Sequence, residues 1–177
     1  SLSANARIDD LAQPIDSEIN VDLHAPDAGY VAAALGVRNL GNGPFTLALS
    51  ISPALDGKGV RGSIVGRVGE FDIAGDGELD EPSRMGKLTV RTEITGPDVS
   101  LLAGLAGIDL LPPERFRMTA TIRRIESLLI IDAADLELPD SALHVRGSVN
   151  RIDNHTGNDL TINISGASVE KFRALFL

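Results

Sequence analysis
Strict alternation of apolar and polar residues runs through most of this chain, and it limits the architecture more than any other feature. Ile19, Val21 and Leu23 alternate with Asn20, Asp22 and His24, and Phe45, Leu47, Leu49 and Ile51 with Thr46, Ala48, Ser50 and Ser52. Leu88, Val90 and Ile94 face away from Thr89, Arg91, Glu93 and Thr95; Phe116, Met118, Ala120 and Ile122 from Arg117, Thr119, Thr121 and Arg123. Leu143, Val145 and Val149, then Leu160, Ile162 and Ile164, continue the pattern. Side chains of a strand point to opposite faces in turn, so this is the signature of half-buried β-structure. Buried parallel strands read as continuous apolar runs instead, so the alternation predicts antiparallel pairing with one solvated face. Turn signals at Asn42-Gly43-Pro44, Asp56-Gly57, Glu81-Pro82 and Pro139-Asp140 divide the strands at the spacing of a meander.

The strands also recur. Asp27 in Ala25-Pro26-Asp27 has a counterpart at Asp98 in Gly96-Pro97-Asp98, and Phe45 has one at Phe116. Phe71 aligns with Leu143 at a slightly longer spacing, Leu88-Thr89-Val90 with Leu160-Thr161-Ile162, and Ile94-Thr95-Gly96 with Ile164-Ser165-Gly166. Such self-similarity marks stacked structural units. A lead-in over 1–18 would precede a first unit over 19–86, a second over 87–157 and the start of a third over 158–177, each of about 70 residues by this spacing, all in one continuous sheet. Each unit carries one short amphipathic helix. Asp27, Asp98 and Ser168 are its N-cap candidates, Gly36 and Gly107 end the first two copies, and the apolar stripes run through Tyr30, Val31, Ala34 and Leu35, through Leu101, Leu102 and Leu105, and through Val169, Phe172 and Phe176.

Helices this short cannot cover a sheet of eight or nine strands. One resolution is closure into a β-sandwich or flattened barrel whose two apolar faces meet as a core. The other is a long curved antiparallel sheet, an open β-groove lined by strands of successive units. In the second case the lining residues are Val21, Leu23, Phe45, Leu47, Leu49, Ile51, Phe71, Ile73, Leu88, Val90, Ile94, Phe116, Met118, Ile122, Leu143, Val145, Leu160 and Ile162. Such a lining needs an apolar guest. A lipid tail fits, since each buried CH₂ contributes about 0.8 kcal/mol. Alternation by itself leaves both resolutions open.

Composition removes several other functions. The net charge of −9, from 16 Lys and Arg against 25 Asp and Glu, opposes binding to a phosphate backbone, so no nucleic acid is expected. With aromatics at 3% and no Trp, stacking platforms for bases or sugars are scarce. The absence of Cys removes thiolate and disulfide chemistry. His24, His144 and His155 lie in different units without metal-ligand spacing. Asp72, Asp76, Glu78 and Asp80 follow the period of a solvated strand face and lack the EF-hand pattern. Ser63 lacks the glycine two positions before it that a nucleophile elbow requires. The glycines at 57, 59, 62, 66 and 69 have no phosphate-binding continuation and read as strand kinks. Asn154-His155-Thr156 and Asn163-Ile164-Ser165 match the short glycosylation pattern, and Arg123-Arg124 and Arg151 read as isolated solvated charges. No catalytic set, metal site or cofactor is expected, and the chain is read as a non-enzyme.

The stretch from Leu88 to Arg151 resembles the AsmA-like family. It runs Leu-Thr-Val-Arg-Thr-Glu-Ile-Thr-Gly-Pro-Asp-Val, then Leu101-Leu102-Ala103-Gly104-Leu105, Ile108-Asp109-Leu110-Leu111-Pro112, Phe116 to Ile122 and Ser141 to Val149. Asp76-Gly77-Glu78-Leu79 stands in the first unit where Arg146-Gly147-Ser148-Val149 stands in the second. The first unit departs at its Gly-rich 57–69, where the second has Leu128 to Leu138. The resemblance implies a periplasmic slice of a larger Gram-negative envelope protein, anchored in the inner membrane by parts outside this sequence. It further implies bridge-like phospholipid transfer towards the outer membrane, without catalytic residues. The start at Ser1 and the apolar end Ala174-Leu175-Phe176-Leu177 fit a piece of a longer chain. A periplasmic scaffold assisting outer-membrane assembly through exposed sheet edges is the competing expectation, and free edges also leave room for edge-to-edge self-association.

Overall fold
The structure, a computed structural model, describes residues 3–8, 18–29, 31, 43–54, 58–80, 86–105, 111–150, 158–167 and 172. Among the described residues ten strands follow in chain order: β1 (Ser3–Ile8), β2 (Ile19–Ala25), β3 (Phe45–Pro53), β4 (Gly59–Val68), β5 (Phe71–Asp80), β6 (Leu88–Gly96), β7 (Phe116–Ile125), β8 (Leu128–Leu138), β9 (Ser141–Asn150) and β10 (Asp159–Gly166). They form one sheet in which every strand pairs antiparallel with its sequence neighbours. The sheet does not close, because β1 and β10 are its two ends. The closed sandwich or barrel is thus replaced by an open antiparallel meander.

Local sequence accounts for the joints. Gly69-Glu70, Glu126-Ser127 and Pro139-Asp140 make the tight turns of three hairpins, with Gly69 at φ 61° and Glu126 at φ 54° supplying a left-handed residue in the first two. The turn signals at Asn42, Asp56-Gly57 and Glu81-Pro82 lie outside the described residues, as do Arg151, Asn154, His155 and Ser168.

Pairing aligns the inner side chains into rows across the sheet. The end row runs Ala25, Phe45, Val68, Phe71, Gly96, Phe116, Leu138, Ser141 and Gly166. The next contains Leu23, Leu47, Gly66, Ile73, Ile94, Met118, Leu136, Leu143 and Ile164. Phe71 therefore shares its row with Ser141 rather than Leu143, and Leu160 is level with Val90 rather than Leu88. Each sequence alignment was two residues out, a slip that leaves alternation unchanged because the side-chain period is two.

The core sits at the end row, where the helical segments cover the sheet. Helix α1 (Val99–Leu105) lays Val99, Leu101 and Leu102 against Phe71, Phe116 and Leu138, with Leu111 and Phe172 completing the cluster. Ala28 and Val31 do the same over Ala25, Phe45 and Val68. Two of the three predicted N-caps are present: Gly29 N–H donates to Asp27 Oδ1 at 2.8 Å, and Ser100 N–H to Asp98 Oδ1 at 2.8 Å. Two further bonds tie the helical starts to the segments that lead into β3 and β7, from Ala28 N–H to the Gly43 carbonyl and from Val99 N–H to the Glu114 carbonyl, both 2.8 Å. Tyr30, Ala34, Leu35, Gly36, Gly107, Val169 and Phe176 of the predicted helices lie outside the described residues.

Candidate apolar binding face
All of the predicted lining residues fall on the inner face. They do not share one environment. Phe45, Phe71 and Phe116 are only 6%, 4% and 3% exposed, so they belong to the filled end under the helices. Leu23, Leu47, Ile73, Ile94, Met118 and Leu143 form a half-buried step against that core. Beyond it, Val21, Leu49, Leu88, Val90, Ile122 and Val145 are half-buried, while Ile51, Leu160 and Ile162 are exposed at 41%, 43% and 43%. Water thus reaches an apolar surface that continues across consecutive strands.

Reading by alternation missed part of this surface. Ile64, Leu79, Leu129 and Leu136 also stand on the inner face, as do Gly62, Gly66, Gly75 and Gly77. In β4 the glycines occupy inner positions between Val60, Ile64 and Val68, so hydrophobicity alone underrates the strand. They also lower the floor. A depression of about 360 Å³ opens where Gly62, Gly75 and Gly77 lie among Leu49, Ile51, Ile64, Leu79, Leu88 and Val90. Of the glycines read as strand kinks, Gly62 is here a small floor residue, Gly69 makes a hairpin turn and Gly57 lies outside the described residues. At Gly66 a close strand approach also demands glycine, since a Cβ would sit 2.1 Å from the Thr46 carbonyl oxygen.

Strand β8 needs a bulge to keep one face apolar. Leu129 and Ile131 are inner residues, and so are Ala134, Leu136 and Leu138, although the parity of their numbers differs. The register shifts between Ile131 and Ala134, and the extra residue restores the phase. It also presents Asp132 to Arg123. That switch from odd to even apolar positions was the signal in the sequence.

The outer face is polar and laced across strands. Arg67 holds Asp72 through two bonds of 2.8 and 3.1 Å, Arg117 holds Glu93 at 3.0 and 3.1 Å, and Arg123 holds Asp132 at 2.5 Å through both nitrogens. Arg91 reaches Asp76 at 3.1 Å and Arg61 lies 3.6 Å from Glu78. Hydrogen bonds from these guanidiniums hold the Asp72, Glu93 and Asp132 carboxyls below the usual carboxylate range, through Arg67, Arg117 and Arg123 respectively. His144 Nδ1 lies 2.5 Å from Asp135 Oδ1. Asp72, Asp76 and Glu78 of the acidic face are therefore partnered, and Arg123 is not an isolated charge. A larger hollow of about 750 Å³ on this face is lined by Arg61, Asp76, Glu78, Lys87, Arg91, Arg123 and Asp132, which suits water rather than hydrocarbon.

Among the described residues, no group of three or more His, Asp or Glu side chains is placed to hold a metal ion. No described helix is long and apolar enough to cross a membrane. Comparison with protein-family models, with curated proteins and with solved structures finds no match to this chain.

Proposed function
We propose that the chain is a segment of an apolar groove that holds phospholipid acyl chains, in the manner of the AsmA-like proteins whose repeated strand, helix and Phe-led strand it resembles. One observation carries the reading. The inner face is filled by helices at its end row and left half-exposed beyond it, across a glycine-floored apolar depression. A self-contained domain covers such a surface with its own side chains. Here a hydrocarbon chain would lie across the sheet on Leu49, Ile64 and Val90, gaining about 0.8 kcal/mol for each CH₂ removed from water. The headgroup would stay wet at the rim. No bond is made or broken, so the role is passive: tails are sheltered while they pass.

Successive units of about 70 residues would lengthen this surface without changing its cross-section. In that setting the protein works in the periplasm, between an inner-membrane anchor elsewhere in the full protein and the outer membrane. The chain purified from a Gram-negative host should carry phospholipid, detected by native mass spectrometry and by lipid extraction. It should also take up labelled phospholipid from vesicles. Preparations free of lipid that also fail to take it up would leave the scaffold role, resting on the free sheet edges, as the better account.

A further inference from the structure
We propose that the outer edge of β10 is a docking site for an antiparallel strand that opens with phenylalanine and then alternates apolar and polar residues. The case comes from two interfaces already in the fold. Strands β2 and β6 end in the small residues Ala25 and Gly96, and each pairs with a strand that begins opposite that residue with Phe, at Phe45 and Phe116. At Gly96 the fit is tight, because a Cβ there would lie 2.6 Å from the Phe71 ring and 2.9 Å from that of Phe116. Strand β10 repeats the arrangement. It pairs with β9 as β6 pairs with β5, setting Leu160 opposite Gly147 as Val90 is set opposite Gly77, and it ends in Gly166.

Among the described residues no third strand covers β10. Seven of its eight residues are exposed, Ile164 excepted, whereas only Arg91 is exposed in β6. The edge is therefore uncovered, with its backbone groups free to pair. Of its outer residues Thr161, Asn163 and Ser165 carry no charge and only Asp159 does, so apolar register more than ion pairing would select the partner. A Phe over Gly166, followed by apolar residues beside Ile164, Ile162 and Leu160, would continue the inner rows by one strand. The inference is independent of what lies on the apolar face.

The test leaves the protein unaltered. A labelled peptide copying Phe116–Ile125 is titrated into the full chain by fluorescence anisotropy, and hydrogen–deuterium exchange locates it. Saturable binding that protects residues 159–166 is expected. Replacing the first residue (Phe116→Ala) should weaken binding at least about tenfold, and a scrambled peptide of equal charge should not bind. Equal binding of the three peptides, protection elsewhere, or no binding at millimolar peptide would each overturn the assignment.

Discussion
The rings of Phe71 and Phe116 lie 6.0 Å apart, tilted by 57°, and meet over the α-carbon of Gly96 on the strand between them. This contact anchors the filled end of the sheet, and even one methyl group on Gly96 must displace a ring. Gly96→Ala should therefore destabilise the fold by about 1–3 kcal/mol, despite the usual small gain from replacing a strand glycine. Phe116→Ala should cost about 3–5 kcal/mol by leaving a cavity. Urea unfolding followed by circular dichroism measures both.

The half-exposed floor and the laced outer face should respond differently to the same chemistry. Val90→Glu places a carboxylate beside the glycine-floored depression and should lower bound phospholipid by about tenfold or more. Val65→Glu, on the outer face at 60% exposure, should leave lipid content and melting temperature nearly unchanged. Quantitative lipid extraction from the two purified variants makes the comparison. Equal loss in both would mean that the inner face has no special role.

Acid should loosen the lacing. Asp72, Glu93 and Asp132 have folded pKa values below their unfolded ones, so their stabilisation is present above the ordinary carboxylate range and disappears as pH falls through the depressed values. The melting temperature should be nearly flat from about pH 8 to 5 and drop below about pH 4. With Arg67, Arg117 and Arg123 all changed to Gln, that drop should be shallower. Because these pairs are partly exposed, salt should also reduce the difference between wild type and variant.

The bulge in β8 makes a prediction about deletions. Removing Asp132 takes out the extra residue, so Leu129, Ile131 and the residues after them stay in phase. The fold should survive, losing the Arg123 pair with only a small drop in the urea midpoint. Removing Ser63 from the regular strand β4 should instead turn Gly66 and Val68 to the wrong face and prevent folding. Circular dichroism and gel filtration separate these outcomes.

Alternation made the open or closed sheet, its antiparallel pairing and the inner face legible, and Asp27 and Asp98 gave the helix starts. It could not show closure, since a face of Leu, Ile and Val looks the same whether another face or a guest covers it. It could not fix register either: Phe71 was aligned with Leu143 and Leu88 with Leu160, because a two-residue slip returns every side chain to its own side. Gly62, Gly66, Gly75 and Gly77 were hidden for a different reason. A floor made low by missing side chains leaves no hydrophobic signal. The partners of Arg123 and Asp76 were equally invisible, because they lie on neighbouring strands.

Each strand leans only on those just before and after it, so every pairing in the sheet joins consecutive strands. Closing the two-residue turns of β4–β5, β7–β8 and β8–β9 is cheap, so assembly can begin at these hairpins and spread both ways. Span is then an evolutionary variable separate from shape. Duplicating one hairpin pair and its helix would carry the same cross-section farther, and the distance such a protein reaches would be set by how often that gene segment was copied.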